Sequence, residues 1–235
     1  IQPFAAELLG GSATGSFRFD APKKSIHATL DGDRLLLERW FAERGSTIPF
    51  KGGPMTLKAN LALSGATFRD LAASVTGPLS LRMGRGTWNS QRAGEVEELM
   101  VNVLAPRGSS QLTFECAAAK LEFRKGRAEG RHLLGARSEV SQLLTAGHID
   151  FTDESLDLRG RVQARKGVSL GLAALAGGVQ ITGKLARPRV GMDPDEKPAL
   201  LARAAAAIAT SGATLVGEAL LDAASRDNAC EAVFK

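Results

Sequence analysis

The chain has 235 residues, 44% hydrophobic and 23% charged. This excludes a disordered polar chain and a bundle of membrane helices, and it leaves length for a sizeable core. Ten Phe, two Trp and no Tyr are too few for a site built on aromatic stacking, and a dispersed net charge of +5 does not name nucleic acid as a partner.

Ile1 reads as a cut edge, with any targeting or anchoring segment upstream of it. Residues Gly10 to Gly15 have phosphate-loop glycine spacing, but Ser16 and Phe17 stand where Lys and Ser/Thr are required, so a glycine-rich turn is expected. Period-two alternation, the strand signal, begins with Phe17 and Phe19 and continues with Ile26, Ala28 and Leu30. Asp33 is expected to cap a helix carrying Leu36, Leu37, Trp40 and Phe41, ended by Gly45. Next, Met55, Leu57, Ala59, Leu61 and Leu63 point one way while Thr56, Lys58, Asn60 and Ser64 point the other. Thr67 and Asp70 stand at capping-box spacing and predict a short helix that buries Phe68, Leu71 and Ala72.

Alternation resumes with Leu79, Leu81 and Met83, with Val101 and Val103, and with Leu112, Phe114 and Cys116. It returns in Ile149 and Phe151, in Leu156, Leu158 and Val162, and in Val179, Ile181 and Leu185. The short links at 125–127 and 152–155 suit antiparallel neighbours, because a parallel pair needs a dozen or more residues. About ten strands are expected, each with one dry and one wet face. Beyond Pro198 the composition turns Ala-rich. Residues 199–224 predict helix, split near Ser211 and Gly212, plugging one mouth of the sheet. The chain therefore divides into a β domain at 1–193 and a helical tail at 194–235.

Catalytic and metal motifs are missing. His27, His132 and His148 are far apart and none has a ligand-spaced partner. Asp31 with Asp33, and Asp193 with Asp195, sit where strands give way to helices and read as caps. Asp153 and Glu154 read as a solvated hairpin tip. Arg159, Arg161, Arg165 and Lys166 lie mostly on one strand face: a solvated surface by default, a surface for anionic headgroups as the sharper alternative. Cys116 and Cys230 either form one bridge in an oxidising compartment or stay as two thiols, and Cys116 alternates in phase with Leu112 and Phe114 as a buried small hydrophobe would.

Two short helices and one Ala-rich tail cannot cover ten strands. Periodicity alone favours a sheet closed on itself as a sandwich or barrel. An open sheet would instead expose a large apolar groove that needs a ligand, and acyl chains fit its aromatic-poor, aliphatic lining. Leu57, Leu61, Leu63, Leu79, Leu81, Val101, Val103, Leu112, Phe114, Ile149, Phe151, Leu156, Leu158, Val179 and Ile181 are the expected lining.

The stretch from Gly147 to Gly160, GHIDFTDESLDLRG, resembles the repeated hairpin of AsmA-like proteins, G-x-I/V-D-L-x-x-E-x-L-D-L. Residues 179–190, VQITGKLARPRV, resemble that family's closing strand, V-x-I-x-G-T-L-x-x-P-x-V, with Lys184 where Thr is usual. Leu63 to Gly65 with Leu71, Gly77, Leu79 and Leu81 look like its earlier strand–helix–strand element, and the tail ending in Asn228, Ala229 and Cys230 is similar to AsmA C-termini. The resemblance covers roughly residues 29–234 and lacks the family's anchor and most of its long N-terminal portion.

It implies a mainly β fold: a large curved antiparallel sheet, a taco-like β-groove related to bridge-like lipid-transfer proteins, with two short helices and a C-terminal Ala-rich segment. It further implies a periplasmic segment of a Gram-negative envelope, held to the inner membrane by an upstream helix and concerned with outer-membrane biogenesis and lipid transport. The expected activity is non-enzymatic and without a cofactor: phospholipid or another acyl-chain lipid is the partner, envelope proteins are further partners, and nucleic acid is not. The alternative is a structural or interaction β-domain with a closed core. In the periplasm a bridge between Cys116 and Cys230 would pin the tail to the sheet.

Overall fold

The computed structural model describes residues 2–43, 50–89, 111–165, 178–192 and 228–235. Within them, thirteen strands form one antiparallel sheet. They are β1 (Gln2–Leu8), β2 (Gly11–Asp20), β3 (Ser25–Leu35), β4 (Phe50–Gly52), β5 (Met55–Ser64), β6 (Gly77–Met83), β7 (Gly86–Asn89), β8 (Gln111–Arg124), β9 (Arg127–Ser138), β10 (Ser141–Asp150), β11 (Ser155–Ala164), β12 (Gly178–Lys184) and β13 (Arg187–Met192). Three short helices accompany them: α1 (Leu37–Glu43), α2 (Phe68–Ser74) and α3 (Ala229–Ala232).

The spatial order is β1-β2-β3-β5-β6-β8-β9-β10-β11-β12-β13, so each strand pairs with its predecessor along the main path and no crossover is needed. β4 pairs with β7 and β7 with β8. The stretches β4–β5 and β6–β7 are therefore two long strands, interrupted at Gly53-Pro54 and at Gly84-Arg85. Backbone bonds from Gly53 N to Arg85 O (2.7 Å) and from Gly84 N to Pro54 O (3.0 Å) hold the interruptions side by side. β1 and β13 are the outer strands and do not pair with each other. The barrel that periodicity alone favours is thus replaced by an open sheet, and the twist between neighbours, accumulated over so many strands, curves it.

One rim carries the short turns. Gly65 N bonds Lys24 O (2.9 Å), Gly126 N bonds Val75 O (2.8 Å), Phe151 N bonds Gly126 O (2.9 Å) and Leu185 N bonds Glu154 O (2.8 Å), so the hydrogen-bond ladder runs on through the turns. α2 lies on this rim and forms the expected capping box: Thr67 Oγ1 accepts from Asp70 N (3.1 Å) and Asp70 Oδ2 accepts from Thr67 N (3.0 Å). Its Arg69 reaches Glu154 in the β10–β11 turn at 2.9 Å.

Two local expectations fail. Asp33 caps no helix, because pairing with Ser12 on β2 keeps it inside β3. α1 starts later, once Leu36 N has bonded Leu9 O. Phe68 is 92% exposed rather than buried, and no residue of α2 is fully buried. The helix sits on the rim, where its first turn has no layer to pack against. Val101, Val103, Gly45 and the tail at 199–224 lie outside the described residues.

Candidate functional site: the apolar face of the sheet

Directly opposed residues of an antiparallel pair project to the same face, so the register sorts every side chain. Phe17, Ala28 and Leu61 form one row across β2, β3 and β5; Phe19, Ile26 and Leu63 form the next. Gly32, Leu57, Leu81, Ala119 and Leu134 line up across β3, β5, β6, β8 and β9. Leu79 opposes Leu121, and Phe123 opposes Ala128, which in turn opposes Ile149 and then Leu156. Leu158 opposes Ile181, which opposes Val190. One face of the open sheet is therefore apolar from β1 to β13.

All the expected lining residues within the described chain belong to this face or its rim. Leu112, Phe114 and Val179 pack with Phe50, Leu143 and Val162. Leu61, Leu63, Leu79, Ile149, Phe151 and Leu156 pack around buried Leu121, Phe123 and Leu158, and the Phe151 ring stacks on Phe123 at 5.1 Å. Ile181 touches both groups. Leu57, Leu61, Leu63, Leu79, Leu81, Ile149 and Leu156 are only half-buried, whereas Leu112 and Leu158 are shut away.

The face extends further than the sequence reading reached. Phe4 and Leu8 of β1 join Phe17 and Phe19 of β2 at one flank, and all four are between 43% and 59% exposed. Phe4 opposes Gly15 and its ring covers that glycine. The alternation of Phe17 and Phe19 was a readable signal; β1, only one short turn before β2, had none as clear.

Of the two expectations for Cys116, the bridge holds and the phase with Leu112 and Phe114 does not. A bulge between Phe114 and Cys116 shifts the β8–β9 register, so Leu112 and Phe114 stay on the apolar face while Cys116 passes to the other. There it is bonded to Cys230 of α3. α3 docks on this outer face through Ala229, Cys230, Ala232 and Val233, against Ala118 and Leu144, with Phe234 under the Arg82 guanidinium at 3.6 Å. Gly135 permits the approach, since a Cβ there would sit 2.4 Å from Ala229 O. The end of the tail thus packs on the sheet opposite the apolar face.

Beside the bulge, Glu115 bonds Arg137 Nε at 2.9 Å and Arg165 Nη1 at 2.8 Å. Desolvation alone would raise the Glu115 pKa; the two guanidiniums outweigh it and hold the carboxyl below its ordinary value. Arg165 is therefore an ion-pair residue and half-buried, Arg159 and Arg161 are exposed, and Lys166 lies outside the described residues. No group of three or more His, Cys, Asp or Glu among the described residues is arranged to hold a metal ion. Compared with family models, curated proteins and solved structures, the chain finds no match, so its resemblance to AsmA-like proteins rests on the residues quoted above.

Proposed function

We propose that this chain is a non-enzymatic, AsmA-like periplasmic segment, held at the inner membrane by an upstream anchor, that binds or conducts lipid acyl chains along its apolar face in outer-membrane biogenesis. The observation that carries the reading is the apolar face itself. It runs across every strand of an open sheet, half-buried over β5 and β6 and exposed at Phe4, Leu8, Phe17 and Phe19. Its exposed part, Phe4, Leu8, Phe17 and Phe19 on the adjacent strands β1 and β2, is a cluster of large apolar side chains of the kind that marks a binding surface. Its aliphatic chemistry offers acyl chains burial at about 0.8 kcal/mol per CH2 and offers polar ligands nothing.

The test is lipid uptake. Purified protein is mixed with a fluorescent fatty-acyl phospholipid, and bound lipid is read by native mass spectrometry. Phe17→Glu with Phe19→Glu should abolish uptake while circular dichroism and thermal melting stay near wild type, since both rings are already wet. Failure of the wild type to retain any acyl lipid would refute the reading. A second reading, an interaction domain of an envelope assembly, draws on the outer edges of β1 and β13, which pair with no other strand among the described residues.

A further inference from the structure

We propose that the outer face of β11, β12 and β13 is a docking surface for an anionic lipid bilayer. On β11, Arg159 and Arg161 project to the face opposite Leu158 and Val162, and both are exposed. Across the ladder, Lys184 of β12 stands directly opposite Arg187 of β13, and Arg189 stands opposite Thr182. Five cations therefore share one face of three adjacent strands, within roughly 10 Å by 20 Å at ordinary strand spacings. Asp157 is the one acidic residue in these three strands; it is half-buried and accepts a hydrogen bond from Gln180 Nε2 at 3.2 Å. The turn before β11 adds Glu154, which pairs with Arg69, and Asp153, whose carboxylate accepts from Ser155 Oγ and whose backbone carbonyl accepts from Lys184 Nζ. Among the described residues no carboxylate pairs with Arg161, Arg187 or Arg189.

The other end of the same face is built differently. On β2, β3 and β5 and their turns, Lys58 pairs with Asp31 (3.1 Å), Arg34 with Asp33 (3.2 Å) and Lys23 with Asp20 (3.6 Å). Cations are paired there, whereas Arg161, Arg187 and Arg189 at β11–β13 meet no carboxylate among the described residues. The arrangement also has a cost, because like charges directly opposite each other, as Lys184 and Arg187 are, destabilise a ladder. A surface of anionic headgroups supplies the missing counter-charge.

A bilayer suits the patch better than nucleic acid does. β11, β12 and β13 contain no aromatic residue on which a base could stack. The patch is a sheet face, broad and shallow rather than a groove. Its strands also carry Leu158, Val179 and Ile181 on the opposite side, so a docked bilayer lies next to the edge of the apolar face. That last point rests on the proposed function; the charge argument does not.

The experiment is vesicle flotation of the full chain. Phosphatidylcholine vesicles carrying about one-third phosphatidylglycerol should bind it, while pure phosphatidylcholine should not, and binding should vanish near 1 M salt, where screening acts over about 3 Å. Each arginine near the surface is worth about fivefold in partitioning, so Arg187→Gln with Arg189→Gln should weaken it about thirtyfold. Lys58→Gln, at the paired end, should change it less than twofold. Acyl-lipid uptake by the arginine variant should stay at the wild-type level, which separates this test from that of the groove. Intact melting and an intact Cys116–Cys230 bridge establish that the variant is folded, and salt dependence of the wild type needs no variant at all. Equal binding to neutral vesicles, no loss in the arginine variant, or tighter binding to single-stranded DNA through the same arginines would overturn the proposal.

Discussion

Removing the bridge between Cys116 and Cys230 should destabilise the whole sheet, and most of the effect should arise in the unfolded chain. The two cysteines are 114 residues apart and enclose β9 to β13. Cross-linking a loop of that length removes chain entropy worth about 4.8 kcal/mol at room temperature. With a urea slope of about 3 kcal/mol per molar, as suits a chain of this size, the unfolding midpoint should fall by about 1.6 M. The assay compares wild type with Cys116→Ser, Cys230→Ser and the double variant under non-reducing conditions. All three should show the same shift, because either single change already opens the loop. Reduced wild type should match them apart from the small difference between thiol and hydroxyl. Free-thiol titration of the denatured, unreduced protein should find no thiols. Two reactive thiols, or variants that unfold at the wild-type midpoint, would refute the reasoning.

Leu158→Arg and Leu61→Arg should separate buried from accessible positions on the same face. Leu158 is 3% exposed, so an unpaired charge there should cost at least about 4 kcal/mol and give insoluble protein, whereas half-buried Leu61 lets a longer side chain reach water at a cost of about 1 kcal/mol. Glu115→Gln should alter acid sensitivity: the folded carboxyl titrates below its ordinary value near 4.5, so its contribution is complete above that pH and is lost as pH falls through the lower folded value. Urea midpoints measured between neutrality and pH 3 should therefore fall less steeply for the variant. Gly147→Ala should destabilise by roughly 1–3 kcal/mol, because φ is +131° and a Cβ would lie 2.0 Å from Asp157 O; an unchanged melting temperature would contradict the register drawn for β10 and β11.

The strands were legible because both periods and turns were local. Leu57, Leu61 and Leu63 against Lys58 and Asn60 declare two faces without any tertiary information, and the link at 152–155 declares its hairpin. Thr67 and Asp70 declared their capping box for the same reason. What sequence could not supply was anything that depends on a neighbour in space. Asp33 has a capping residue's chemistry, yet pairing with β2 carries the strand past it. Phe68 has a core residue's chemistry, yet the rim places nothing over it. Closure was equally invisible: whether β1 meets β13 depends on summed twist and stagger, and alternation in each strand reads the same either way.

The bulge at Glu115 shows why one irregularity matters more than its size suggests. With unbroken alternation, Leu112, Phe114 and Cys116 would all project to one face, and the thiol would point into the apolar side with α3 out of reach. The register shift between Phe114 and Cys116 keeps both large side chains in the cluster around Phe50 and turns the cysteine outward to Cys230. It also leaves Glu115 beside Arg137 and Arg165, which hold it from β9 and from the end of β11. The ion pairs, the disulfide and the docked helix therefore lie on the outer side of β8 to β11. The apolar side of the same strands carries no charged residue: it is aliphatic and aromatic apart from buried Ser138, Ser141 and Thr145. A closed β-barrel has no need of that division, since its inner face is filled by its own side chains. An open sheet whose apolar face is left uncovered at one flank does: whatever braces it has to sit on the other face.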